Sequence, residues 1–183
     1  GGVLHLETPM TGPLWQATRD LHHACEAHPI GQAMINGAIT PRQWADWLWA
    51  MRVLHMVVDI SLPTSMAREA ALGADLASLP AARASPAVLT FAASLVGRDT
   101  GGAGYVLHGA HRSGGRVLAP KMARRGLPTA HTCYLNPDKT QAWLAKARMR
   151  SDWASQARET FACLLSVMDE IVARGDVRAE ARS

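Results

Sequence analysis

The sequence offers eight histidines, and three groupings of them have spacings that can support chemistry. His22 and Glu26 stand four apart in Leu21-His22-His23-Ala24-Cys25-Glu26, so on a helix they share one face. His22 also adjoins the apolar stripe through Leu21 and Cys25. A half-buried imidazole with one nitrogen free can ligate a metal, while a carboxylate or water at the other nitrogen fixes its tautomer. The same spacing equally suits a core histidine paired with a surface glutamate. His55 and Asp59 are also four apart, and His108 and His111 three apart; pairs of this kind can hold a metal. A di-iron carboxylate bundle needs several Glu or Asp ligands and Glu-x-x-His pairs on facing helices. Asp169-Glu170 comes without such a histidine. Cys133 lies two residues from His131, but a nucleophilic thiol needs a partnered base and a lowered pKa, and an ordinary loop cysteine is the plainer reading.

The second feature is Gly104-Tyr105-Val106-Leu107-His108-Gly109-Ala110-His111-Arg112-Ser113-Gly114-Gly115-Arg116. Glycine inside a helix costs about 1 kcal/mol against alanine. So many together imply a use: a kink, a helix crossing at small residues, or a backbone that comes close to a flat ligand where a side chain would collide.

Composition narrows the classes. At 183 residues and 48% apolar, the chain suits one domain with a substantial core and is not a disordered polymer. Three cysteines far apart (Cys25, Cys133, Cys163) make neither a disulfide framework nor a zinc site, and the odd number fits a reducing compartment. No apolar run reaches the roughly 20 residues of a membrane span, and Gly1 to Gly12 lacks the pattern of a secretion signal. The expectation is a cytoplasmic protein. The net charge of +4 is mild. Its clusters, Arg112 to Arg125 and Lys146 to Arg150, lack interleaved aromatics in the first case and any nucleic-acid motif in either. Solvated helix faces, or contacts to a small anionic ligand, suit them better than nucleic acid.

The elements that must position these residues read as helices throughout. Leu14, Thr18, Leu21 and Cys25 mark one face of a helix over about 12–28, followed by a link. Thr40-Pro41-Arg42-Gln43 is a capping box with proline at the first helical position. It opens a helix to about residue 62, so apolar all round (Trp44, Trp47, Leu48, Met51, Leu54) that it belongs at the centre. Further helices are expected over 64–78, from Ser85-Pro86 with Leu89, Ala92, Ala93 and Val96 inward, over 103–125, over 139–149, and over 151–173 with Ala157, Phe161, Leu164, Met168 and Val172 inward. Residues 126–138 read as loop. No segment alternates like a strand. The expectation is an all-α, single-domain bundle of six to eight helices, with its core over about 12–173.

Taken together these pieces resemble the haem (heme) oxygenase family, bacterial type. Ala17-Thr18-Arg19-Asp20-Leu21-His22-His23-Ala24-Cys25-Glu26 looks like that family's proximal helix. Gly37-Ala38-Ile39-Thr40 with the Trp-rich helix sits where the family has its second helix. Tyr105 through Leu118 looks like its glycine-rich distal helix, and Thr160-Phe161-Ala162 resembles part of its last. The resemblance implies haem (iron protoporphyrin IX) as substrate and cofactor, opened oxidatively to biliverdin, carbon monoxide and ferrous iron. Electrons would come from an external ferredoxin, flavoprotein reductase or similar donor.

By the same resemblance His22 is the axial ligand and Glu26 steadies its other nitrogen. Arg19, Lys146 and Arg148 face the haem propionates, Tyr105 stands near that edge, and Phe161 lies against the pocket. Gly114 and Gly115 let the distal backbone approach the iron. The distal stretch departs from the family pattern. His111, or His108 under another alignment, stands where an acidic residue organises water, and Ala110 replaces a glycine or serine. Two other readings follow: a catalytically silent haem-binding sensor or carrier, and a non-haem relative of di-iron oxidase or thiaminase-like kind.

Overall fold

The computed structural model describes residues 12–175; residues 1–11, which make up all but the last residue of the segment read above for a secretion signal, and everything from 176 onward lie outside the described residues. Within them the chain is all-α, with no strand. Proline opens five helices at the first helical position, where its fixed φ suits the helix and its missing N–H is not needed. These are α1 (Pro13–Ala27), α2 (Pro29–Ile35), α3 (Pro41–Val58), α5 (Pro86–Leu95) and α8 (Pro137–Ala147). Side chains cap several of them. Thr40 and Gln43 form the expected reciprocal box, Ser85 accepts from the Val88 N–H, and Asn136 accepts from the Lys139 N–H. The remaining helices are α4 (Glu69–Ala77), α6 (Gly101–Gly109), α7 (Gly115–Arg124) and α9 (Ala154–Ala173).

The helix expected over 103–125 is present as one rod. α6 and α7 are joined through a wide helical turn at Ala110–Gly114, whose bonding reaches one residue further than in an α-helix. Counting the rod once, eight helices are described, at the upper end of the expected number.

Three expectations are corrected. The link after Pro29 is in fact helix α2, capped by His28, whose Nδ1 accepts from the Ile30 N–H. The α5 face is rotated: Val88, Ala92 and Leu95 are buried, whereas Leu89 and Val96 are 50% and 69% exposed. That helix is apolar on nearly every side, so periodicity alone could not choose its inner face. On α9 the innermost late residue is Ile171, and Val172 is exposed.

α9 is the scaffold on which both walls of the site are mounted. α1 packs along it, and so does α6, while α3 crosses it on the third side. The buried apolar residues form one connected core running from Leu14 to Ile171. No described helix is long and apolar enough to cross a membrane.

The contact of α6 with α9 depends on missing side chains. A Cβ on Gly101 would fall 2.1 Å from the Trp153 ring, and one on Gly102 2.8 Å from the Trp153 carbonyl. A Cβ on Gly104 would fall 2.7 Å from Leu62 Cδ1, so three glycines serve close helix packing. Gly109 is different, because a Cβ there meets nothing within 4 Å. Gly101→Ala should therefore destabilise the protein by about 1–3 kcal/mol through overpacking, whereas Gly109→Ala should leave thermal stability of the ligand-free protein unchanged or slightly raised. Melting curves of the two variants check this.

Candidate functional site: a cavity between α1 and the glycine-rich rod

α1 and the α6–α7 rod make no extensive contact with each other, although both are anchored on neighbouring helices. The space left between them is a cavity of about 380 Å³, within the roughly 300–1,000 Å³ typical of small-molecule and cofactor sites. Its walls are mainly apolar, with Trp15, Trp47, Met51, Val106, Leu144 and Leu164 among the lining residues.

On the α1 wall, Thr18, His22 and Glu26 follow at intervals of four, and all three line the cavity. The His22 ring is held edge-on by Trp15 and Phe161, at centroid distances of 5.2 and 6.1 Å. Its Nδ1 is buried without a hydrogen-bond partner, 3.6 Å from Glu26 Oε1. Burial lowers the His22 pKa, against the opposing pull of Glu26, so the ring is neutral near pH 7. A neutral imidazole whose Nδ1 is turned towards a carboxylate offers Nε2 as a ligand atom. His23 is exposed and belongs instead to a surface depression with Arg19, Asp20 and Arg158.

On the opposite wall stand Gly109, Ala110, His111, Ser113, Gly114 and Gly115. An added Cβ would meet nothing within 4 Å at Gly109 or Gly114. Gly115 instead packs against Thr132, whose Cβ would lie 2.9 Å from a new one. The glycine run thus serves two purposes: close helix packing at one end, open wall at the other.

At the rim, Tyr105 and Arg148 line the cavity together. Burial raises the Tyr105 pKa, and the adjacent Arg148 guanidinium partly offsets that. Arg19 and Lys146, the other cations implied for a ligand's carboxylates, are exposed and do not line it. Cys25 does line the cavity, but burial pushes its thiol up to about 11, so it is not a thiolate. Cys133 is exposed, and the His131 ring hydrogen-bonds Asp75 rather than the thiol.

Behind the distal wall lies a polar network that local spacing only hinted at. Asp59 accepts from His55 Nδ1 at 2.9 Å, from His108 Nε2 at 2.8 Å and from the Arg68 backbone N–H at 2.9 Å. His55 Nε2 and His111 Nε2 are 2.8 Å apart, and the Tyr134 hydroxyl sits 2.7 Å from His108 Nδ1. His108 is therefore not a wall residue; it is fully buried behind His111. A second pair, His131 Nδ1 and Asp75 Oδ2 at 2.6 Å, brings the His131 ring to the cavity 5.0 Å from that of His111. Arg68 clamps the two halves. Its side chain donates to the carbonyls of Met66, Ala67, His131 and Cys133 and lies 3.9 Å over the Tyr134 ring.

His55, Asp59 and His108 are close enough to hold one metal ion. The set has a single carboxylate with a buried guanidinium nearby, which is not the carboxylate-rich donor set of a di-iron centre. The i, i+4 pair His55–Asp59 was visible in the sequence; its links to His108, His111 and Tyr134 join positions up to 56 residues apart.

The comparison with solved structures bears on architecture. The solved structure of haem oxygenase-1 from the cyanobacterium Synechocystis, in complex with haem, superimposes with a TM-score of 0.64 over 88% of this chain and 90% of that one, at 13% identity. No protein-family model and no curated protein matches the chain by sequence. The chain therefore has the all-α haem oxygenase-like fold, and at that identity the likeness is one of fold.

The buried imidazoles make stability depend on pH. Burial, only partly offset by the hydrogen bond to Asp59, pushes His55 down to about 4 from its ordinary 6.5, and burial lowers His111 as well. The unfolded chain therefore binds protons that the folded protein refuses between pH 6.5 and 4, and stability falls as pH drops through that window. For Asp59, burial alone would raise the pKa, but hydrogen bonds from His108 and His55 overcome it and hold the carboxyl below its usual range. Its contribution is present above about 3.9 and is lost at lower pH. Urea midpoints should fall from pH 7 to pH 5, and the fall should be smaller in His55→Gln.

Proposed function

We propose that this chain binds haem between α1 and the glycine-rich rod and opens it oxidatively to biliverdin, carbon monoxide and ferrous iron. The observation that carries the reading is the pairing across one apolar cavity of a neutral histidine with two glycines that have open space where side chains would project. A flat apolar disc needs such a slot, and its carboxylates need a cation at one rim. Arg148, beside Tyr105, is the cation that lines it. The haem complex of the structural neighbour supports the same choice.

Bound haem would supply the redox-active iron, drawing electrons from an external ferredoxin, flavoprotein reductase or similar donor. The chain's own residues do the rest. His22 would hold the iron through Nε2, and Glu26 turns towards Nδ1 to orient the ring. Trp15 and Phe161 fix the ring's plane from two sides. The bare backbone at Gly109 and Gly114 would let a flat ligand lie close to the rod, where side chains would stand in its way. The apolar lining excludes bulk water, while His111 and His131 place polar atoms on the distal side.

A second reading is a haem-binding sensor or carrier without turnover. His111 on that wall favours it, since by the family resemblance it stands where a catalytic site of this kind would carry an acidic, water-organising group. Hemin titration followed by a reductant in air separates the two. The oxygenase reading expects a Soret band that then bleaches as biliverdin absorbance grows; the sensor reading expects a reduced spectrum that stays intact. No Soret band would leave the non-haem reading. His22→Ala should weaken hemin binding and abolish turnover, and wild-type turnover in that variant would show that another residue is the axial ligand.

A further inference from the structure

We infer that His111 and His131 face the cavity as a pair of hydrogen-bond acceptors, through Nδ1 and Nε2 respectively. They would thereby favour an axial ligand that donates a hydrogen bond over an anion that can only accept one. The second half rests on the haem reading above; the first stands without it.

The tautomers follow from the carboxylates. Asp59 is ionised and accepts three hydrogen bonds, so the nitrogens facing it, His55 Nδ1 and His108 Nε2, carry the protons. A bare nitrogen at 2.9 Å from an ionised oxygen would set two lone pairs against each other. His55 Nε2 is therefore bare, and His111 Nε2, 2.8 Å away, donates to it. A neutral imidazole has one proton, so His111 Nδ1 is bare.

A separate carboxylate gives the second ring the same character. Asp75 accepts from the backbone N–H groups of Ala130 and His131 and from His131 Nδ1 at 2.6 Å. His131 Nε2 is left as a lone pair. His108 completes the pattern, because its bare Nδ1 accepts from the Tyr134 hydroxyl.

Both free nitrogens reach the cavity. Neither has a protein hydrogen-bond partner, and neither is among the fully inaccessible unpartnered atoms. The rings are only 5% and 2% exposed, and both line the cavity, so the accessible surface of those nitrogens lies towards it. Three nearby donors are already engaged, Arg68 with four carbonyls, Thr132 with the Thr129 carbonyl and Thr18 with the Leu14 carbonyl, while the Ser113 hydroxyl on the same wall is exposed. The distal wall thus offers lone pairs to whatever occupies the space before it. A molecule with an O–H or N–H is held there, and an acceptor-only anion meets two more acceptors.

Two measurements test this, at a fixed pH of about 7.5. Long-range proton–nitrogen NMR of the ligand-free protein, assigned with His111→Gln and His131→Gln, should show His111 as the Nε2–H tautomer and His131 as Nδ1–H. An imidazolium at either position, or the opposite tautomer, overturns the acceptor pair. Fluoride, an acceptor-only anion, is then titrated into the ferric haem complex. His111→Gln supplies an amide N–H in place of the lone pair and should tighten fluoride binding about tenfold, the size expected for one hydrogen bond to a charged group. Unchanged or weaker binding overturns the ligand preference. If the protein takes up no hemin, the haem reading and the ligand preference both fall, while the NMR result still decides the acceptor pair.

Discussion

One helix is held tightly at one end and kept at a distance along its middle, and the cavity exists because of that difference. At Gly101, Gly102 and Gly104 the rod has no room for a single added carbon, and it is pressed onto Trp153, Gln156 and Leu62. At Gly109 and Gly114 it touches nothing where a side chain would be. The wide turn at Ala110–Gly114 lies in the open stretch and turns Ala110, His111 and Ser113 to the cavity. α1, seated on α9 with its start bonded to the Arg148 carbonyl, supplies the facing wall. Filling the tight end would move the whole wall; filling the open end would only occupy the space a ligand needs.

The polar network behind the wall shows how buried histidines can be tolerated in an apolar core. An isolated buried charge is strongly unfavourable, but each carboxylate here receives several N–H donors, and burial lowers the pKa of His55 and His111. Asp59 takes three hydrogen bonds, Asp75 takes three, and Arg68 spends its donors on carbonyls. The arrangement joins α3, the rod and the 130–134 segment without placing an unpaired charge at the cavity. It also makes the distal side chemically one-sided, rich in lone pairs and without a carboxylate, unlike the water-organising acid that the family resemblance led one to look for.

The carboxylate count bears on the rival metal reading. His55, Asp59 and His108 could close around an ion, yet their nitrogens and oxygens already satisfy one another, and the guanidinium of Arg68 lies close by. The cavity between α1 and the rod has the opposite character. His22 turns Nδ1 towards Glu26 and leaves Nε2 for a ligand, and Gly109 and Gly114 border open space. Groups left unsatisfied by the protein point to where a ligand belongs.

Local sequence determined most of the helices and the α1 face of the cavity. Proline and a capping residue mark helix starts without help from the rest of the chain, and a spacing of four puts Thr18, His22 and Glu26 on one face because a helix turns every 3.6 residues. Short and uniformly apolar helices were less legible: α2 follows α1 with no linker, and α5 has apolar residues on the face that ended outside as well as the face that ended inside. Tertiary structure alone decided which glycines pack and which stand open, since that depends on whether Trp153, Leu62 or nothing lies opposite. It alone placed Arg148 at the cavity and Arg19 and Lys146 outside it. It also decided the tautomers of His111 and His131, because Asp75 meets the His131 ring, and Asp59 acts on His111 through His55, only when segments far apart in sequence come together.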